Sequence, residues 1–301
     1  MNYTLPLADG CTWKFSPADS SAGELLTRLA AVMQLRPAQG DENLCNGSKR
    51  ELVFVHSDQK KSLSGELPGL VDALRSGQSA RCEINARDTD ETRLFFRWVS
   101  TYLALIGLDA HPRGGALLHG ALAFHPGLPA PNGEKGFGVL LTAPSDTGKT
   151  TASNRLPPPW VSLSDDVTMI ARTADGGYQA HPWPTWSRFH PGGPGGSWDT
   201  GHSVRLGAVF FLEQAAQDCA IPLGAGNSAA RLVRAMEQAS LLLINHLDTP
   251  RARKLRLAWL DVASAIASQI PGFILQLSLT GAFWDEMEHS LAVNTNGKDH
   301  A

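Results

Sequence analysis

Cysteine is scarce in this 301-residue chain and never clustered: Cys11, Cys45, Cys82 and Cys219 stand far apart, with no C-x-x-C pair. That spacing argues against a zinc site or a dithiol redox motif, and it predicts buried free thiols in a reducing cytoplasm. Concentrated positive charge is missing too. The net charge is −3 with no dense basic run, which argues against a nucleic-acid binder, since that needs a positive face. Long apolar runs are absent. The longest, around 94–108 and 255–270, carry charged or polar residues and fall short of a membrane span. Met1-Asn2-Tyr3-Thr4 has no basic segment followed by an apolar one, so no signal peptide is expected. What is present is enough apolar residue for a core, at 43% hydrophobic and 18% charged.

Residues 1–110 read as a smaller α+β region. Helical spacing of Leu25, Leu26, Leu29, Val32 and Met33 predicts a helix over 24–35, ended by Pro37 and Gly40. Strands are expected at 52–55 and 80–84, a short helix at 67–74, and a long helix at 91–108 with Leu94, Phe95, Trp98, Tyr102 and Leu105 on one face. That aromatic face suits either a core or a docked partner. Residues 107–115, with Pro112, break the pattern and divide this region from a second over 111–301.

The second region is organised around Gly138-Val-Leu-Leu-Thr-Ala-Pro-Ser-Asp-Thr-Gly-Lys-Thr-Thr151. An apolar strand leads into Ala143-x4-Gly148-Lys149-Thr150 and then a helix start. This is the phosphate-loop pattern with Ala in place of the first Gly. Such a turn points successive backbone N–H groups at an anion, at the positive end of the helix. Ser145, Asp146, Thr147, Gly148, Lys149, Thr150 and Thr151 are the candidate phosphate binders. Lys149 would supply the point charge and the Thr150 hydroxyl a Mg²⁺ ligand. Asp146 would repel phosphate and is expected to point outward or to shift its pKa.

Pro157-Pro158-Pro159 ends the following helix near Leu156. An extended run then delivers Ser164-Asp165-Asp166. One carboxylate can hold Mg²⁺ while the other takes a proton from an attacking hydroxyl; a polar turn is the plainer reading. Upstream, 116–124 and 138–142 would make a hairpin that sets His119 near the nucleotide, in a functional or a structural role. Ala180-His-Pro-Trp-Pro-Thr-Trp-Ser-Arg188 suits a rigid wall with Arg188 reaching the transferred phosphate, or simple packing on the sheet. Residues 190–201, rich in glycine, read as a mobile lid. Strands at 204–212, 219–223 and 273–279, helices from 227 to about 244, from 251, and over 284–291, and a loose tail from Asn294 complete the expectation.

Leu118-His119-Gly120, the phosphate loop and Leu163-Ser-Asp165-Asp166, in that order, resemble the HPr kinase/phosphorylase family, whose nucleotide core is related to phosphoenolpyruvate carboxykinase. Length and the His-Pro-Trp-Pro-Thr-Trp-Ser segment look most like the HPr-kinase-related proteins of peptide natural-product clusters. These include the SynChlorMet cassette protein ScmC type and the lasso-peptide precursor kinases. The resemblance spans about 115–290. It implies an α/β fold with a carboxykinase-like P-loop core built on a mixed sheet. It implies ATP or another nucleoside triphosphate with Mg²⁺, and phosphate transfer to a Ser or Thr of a precursor peptide or small protein, in a cytoplasmic protein compatible with an oligomer. His119 would orient the carboxylates, Asp165 serve as base and Asp166 hold the metal. A small-molecule kinase and a nucleotide-gated, non-catalytic peptide-binding module are the alternatives.

Overall fold

The computed structural model describes residues 1–39, 44–45, 48–55, 63–76, 78, 80–85, 92–129, 135–145, 147–189 and 193–296. Asp146, inside the loop, therefore lies outside the described residues, as do the side chains of Leu94, Phe95 and Trp98.

The first sheet holds β1 (Tyr3–Pro6), β2 (Thr12–Pro17), β3 (Arg36–Pro37), β4 (Leu44–Cys45), β5 (Ser48–Val55) and β6 (Ala80–Asn85). They run in the order β3-β1-β2-β5-β4, with β6 also on β5. Between them lie α1 (Ser20–Met33) and α2 (Leu63–Arg75), and α3 (Thr92–Ala110) follows. The β1–β2 hairpin is missing from the expected elements, although Tyr3-Thr-Leu5 and Thr12-Trp-Lys-Phe15 alternate on either side of Asp9-Gly10. Leu5, Trp13 and Phe15 are completely buried, so the apolar members of that alternation face the core while Lys14 points the other way. Helix α1 starts earlier than its apolar spacing suggests, because Asp19 caps it by accepting from the Ala22 amide at 2.8 Å.

Cys11, in the β1–β2 turn, is disulfide-bonded; Cys219 is free. The expectation of free thiols throughout is corrected, and the cysteine argument for a reducing compartment falls with it. Separation along the chain carried no information about separation in space. Among the described residues no helix is long and apolar enough to cross a membrane.

The second sheet contains β7 (Ala116–Pro129), β8 (Lys135–Thr142), β9 (Val161–Ser164), β10 (Val167–Arg172), β11 (Tyr178–Trp183), β12 (Val204–Gln214), β13 (Cys219–Leu223) and β14 (Gly272–Leu277). Its order is β11-β10-β7-β8-β12-β14-β13, with β9 on β7. Strands β8, β12 and β14 are parallel; the other pairings are antiparallel. The sheet is thus mixed, as expected. It also closes: β11 pairs with the start of β12, so β7, β8, β12, β11 and β10 form a five-strand ring. That closure fits poorly with the expected P-loop core. Its cause is strand length. β12 spans 11 residues, and its first two pair with β11 while its body pairs with β8. A register shift between Leu206 and Ala208 bends it, at Gly207, where any Cβ would stand 2.2 Å from Phe137.

Alternation along these strands divides two cores. Leu140, Val209 and Phe211 face a cluster shared with α3, α5 (Ala225–Ala239) and α7 (Thr249–Gln269). Val139, Leu141, Phe210 and Leu212 face the opposite cluster, with Phe283 and Met287 of α8 (Phe283–Asn296). The first cluster runs on without a break into the N-terminal sheet, through Trp13, Leu26 and Leu105. The chain from Asn294 to Asn296 is helical, not loose. The expected helix after 227 is two, α5 and α6 (Leu241–Ile244), parted at Ser240.

Candidate functional site

Strand β8 ends at Thr142, and its hairpin with β7 fixes what lies beside the loop. Gly120 pairs with Thr142, and the Thr142 hydroxyl donates to the His119 carbonyl at 2.7 Å. The chain turns through Ala143, exposed Pro144 and Ser145, half-buried Thr147, and Gly148 into α4 (Lys149–Arg155). Gly148 adopts φ 103°, and a Cβ there would meet nothing within 4 Å. The turn therefore needs glycine for its left-handed backbone, and the space in front of it is open. Among the described residues no side chain caps the helix start, which leaves its first amides without a bond from them. Lys149 is buried and folds back over its own loop, donating to the Ala143 and Pro144 carbonyls at 3.1 and 3.2 Å.

The acid pair sits where the chain passes from β9 to β10, both of which pair with β7. Side-chain hydroxyls hold this bend: Ser164 accepts from the Leu122 amide at 3.3 Å, and Thr168 donates to the Gly120 carbonyl at 2.9 Å. The two carboxylates leave it in different directions. Asp165 is buried; its Oδ1 accepts from the Thr185 hydroxyl at 2.8 Å, and Arg188 Nη1 lies 3.8 Å from its Oδ2. Asp166 is more exposed, and its Oδ1 stands 2.9 Å from His119 Nε2. The other ring nitrogen of His119 is 2.9 Å from Gln238 Oε1, on α5. The loop and the acids meet directly, for the Thr150 hydroxyl donates to the Asp165 main-chain carbonyl at 3.4 Å.

A cavity of about 270 Å³ opens against this cluster, with His119, Asp166, Thr185 and Gln238 as its polar wall and Trp183 and Trp186 as its aromatic one. The Pro/Trp segment so becomes β11 and a short 3₁₀ turn over Trp186–Phe189, which carries Arg188 back to Asp165 and over the Trp198 ring. The structure therefore brings together His119, Thr150, Asp165, Asp166 and Arg188, with Lys149 one residue away. Ser145 faces solvent, and Thr151 faces away from the acid pair, toward a separate cavity. Among the described residues no three His, Cys, Asp or Glu side chains are placed to hold one metal ion by themselves.

Two participants escape the sequence reading. Thr185 lies inside the flagged Pro/Trp segment but carries no charge to mark it. Gln238 lies on an amphipathic helix, 119 residues from its partner, and no local signal could find it. The expected lid is also different. Trp198 and Thr200 donate through their amides to the Val32 and Met33 carbonyls, at 2.8 and 3.2 Å, and both side chains are buried. This part of 190–201 is docked on the end of α1; residues 190–192 lie outside the described ones.

The molecule is thus a mixed α/β protein in which a glycine-bearing strand–helix turn abuts a pair of aspartates, one of which, Asp166, lines a cavity. The model of the SynChlorMet cassette protein ScmC family matches residues 80–292, most of the chain, and the chain belongs to that family. The match begins at β6 and includes α3, upstream of the boundary drawn from sequence. No curated protein matches the chain.

Proposed function

We propose that this protein is an HPr-kinase-like phosphotransferase that uses ATP, or another nucleoside triphosphate, with Mg²⁺ to phosphorylate a Ser or Thr hydroxyl of a precursor peptide or small protein. One observation carries the reading: the helix start of the phosphate-loop sequence touches the acid pair through Thr150 and Asp165, beside a cavity with room for a side chain. The Thr150 hydroxyl and an Asp166 oxygen are hard oxygen donors, and Mg²⁺ needs only one or two protein oxygens besides phosphate. Their chemistry fits, and the absence of a three-ligand cluster among the described residues does not oppose it. When bound, Mg²⁺ neutralises charge on the phosphates.

The chain's own groups do the rest. Loop amides and Lys149 hold the outer phosphates, so Lys149 must exchange its bonds to Ala143 and Pro144 for phosphate oxygens. Asp165 takes the proton of the acceptor hydroxyl as that oxygen bonds to the γ-phosphorus and the bond to the β-phosphate oxygen breaks. Thr185 and Arg188 fix the carboxylate for that role. His119, held by Gln238, orients Asp166.

The test is direct. Purified protein with Mg-ATP should add one phosphate to a precursor peptide encoded beside its gene, and Lys149→Ala should not. If no candidate peptide changes mass and Lys149→Ala behaves as wild type, the proposal fails. A second reading, a small-molecule kinase, draws support from the modest volume of the cavity, about 270 Å³. Nucleotide turnover with a metabolite and none with peptide would select it.

A further inference from the structure

A second cavity, of about 520 Å³, opens beside the same helix start. Thr151 and Arg155 of α4, Gln214 at the end of β12, and Leu277, Ser278 and Leu279 at and after the end of β14 line it. β8, β12 and β14 are parallel, so the cavity lies past the carboxyl ends of three parallel strands, the end at which parallel α/β strands present ligand-binding loops. Successive helical residues turn by roughly 100°. Thr150 reaches the acid pair and Thr151 therefore faces this cavity. A polyphosphate laid over the helix start would have its reactive end at Asp165 and its other end here.

The cavity's chemistry is not that of another phosphate site. Its cation, Arg155, is committed: the guanidinium donates to the Ser278 and Gly281 carbonyls at 2.9 and 2.5 Å and lies over the Phe283 ring. Those bonds, with Asp218 accepting from the Ser278 amide and the Ser278 hydroxyl accepting from the Gly281 amide, fix the 278–281 turn. The fixed turn holds Leu279 at the cavity edge, 91% exposed, with Leu277 in the wall. An apolar face, an amide on Gln214 that bonds hydroxyls or ring nitrogens, and a spent cation suit a flat neutral group.

We infer that this cavity seats the nucleoside of the phosphate donor, with the heterocyclic base against Leu279 and the ribose by Thr151 and Gln214. The inference rests on the kinase reading and adds to it where the donor lies. Calorimetry with Mg-ATP and with Mg-tripolyphosphate separates the two. Wild type should bind ATP more tightly than tripolyphosphate. Leu279→Ser should weaken ATP about tenfold, as expected for one lost leucine contact, and leave tripolyphosphate within about twofold. Azido-ATP should label the peptide that contains 277–281. Equal binding of ATP and tripolyphosphate by wild type, an unchanged ATP affinity in Leu279→Ser, or an equal loss of both ligands overturns the nucleoside site and leaves the kinase reading standing. Binding of neither ligand by wild type overturns both.

Discussion

The two sheets bury charge to different ends. Beside the first, Arg50 donates to Asp109 at 2.8 Å and to the Gln78 carbonyl at 2.7 Å, while Arg113 bonds Asp109 at 3.1 Å and Asp9 at 2.9 Å. Arg50 and Asp109 are almost wholly out of water. These charges tie β5, α3 and the β1–β2 turn together, and they line neither the acid-pair cavity nor the one beside the loop. Around the second sheet, Asp165 meets Thr185 and Arg188, Asp166 meets His119, His119 meets Gln238, and Lys149 meets two loop carbonyls, but His119, Asp166, Thr185 and Gln238 line a cavity. The first arrangement is closed and serves stability. The second can exchange partners for a ligand, which a binding site must do. Substitution should therefore cost stability in one sheet and chemistry in the other.

The largest effect should come from the acid pair. Asp165→Asn should lower phosphoryl transfer by about 10²–10⁴-fold, the usual contribution of a general base. It should hardly move the urea midpoint, since the amide oxygen still accepts from Thr185. Asp166→Asn should also slow transfer, but excess Mg²⁺ should recover part of that loss and none of the Asp165→Asn loss. The opposite pattern would exchange the two roles, an assignment that Asp166 invites by lining the acid-pair cavity.

Asp109→Ala should show the reverse profile. Removing one partner leaves Arg50 buried without its carboxylate, a loss of about 3–5 kcal/mol. Urea unfolding measures it, and ATP affinity of the folded fraction should stay unchanged. A drop below about 1 kcal/mol would mean that main-chain carbonyls alone satisfy Arg50, and the contrast between the sheets would weaken.

Thr185→Val tests the boundary between the two behaviours. It keeps shape and removes the donor to Asp165 Oδ1, which should slow transfer about tenfold, near the worth of one hydrogen bond to a charged group. Thr185→Ser should restore the rate. Rescue by Ser separates positioning from packing, because Ser lacks the methyl group that a packing role would need.

Much of this site was legible in the sequence because its parts are local. The loop, the acid pair and the His-Gly strand each occupy a few consecutive residues, and a hairpin rule joins His119 to Thr142. Apolar runs also located β7, β8 and β12. What was hidden depends on distance. Gln238 meets His119 across the sheet, Trp198 and Thr200 dock on α1, and Cys11 finds a disulfide partner, none of which spacing can reveal. The closure of the ring was hidden for a related reason. β12 reads as one strand, yet its two ends pair with different neighbours, and nothing in Val204–Gln214 announces the second pairing.

The smallest expected effect concerns two histidines outside the site. His111 accepts from the Trp259 indole at 3.1 Å. Loss of water around the ring, helped by Arg75, pushes its pKa down to about 3. His181 joins the β1–β2 turn to the 198–200 segment. Its Nε2 accepts from the Ala8 amide at 3.1 Å, so Nδ1 carries the proton and donates to the Thr200 carbonyl at 2.9 Å. Burial lowers its pKa as well, against the pull of that carbonyl and of Asp9. Both folded-state values lie below the unfolded value of about 6.5, so the unfolded chain binds protons first as pH falls. Their stabilisation is complete above pH about 6.5 and declines through pH 5, by at most about 1.4 kcal/mol per pH unit for each ring. Urea unfolding between pH 7.5 and 5 should show the decline. His111→Gln keeps an acceptor for Trp259 and cannot titrate, so its slope should be shallower than wild type. An identical slope would remove His111 from the account and leave the acid sensitivity of the fold to His181, at the junction between the two regions.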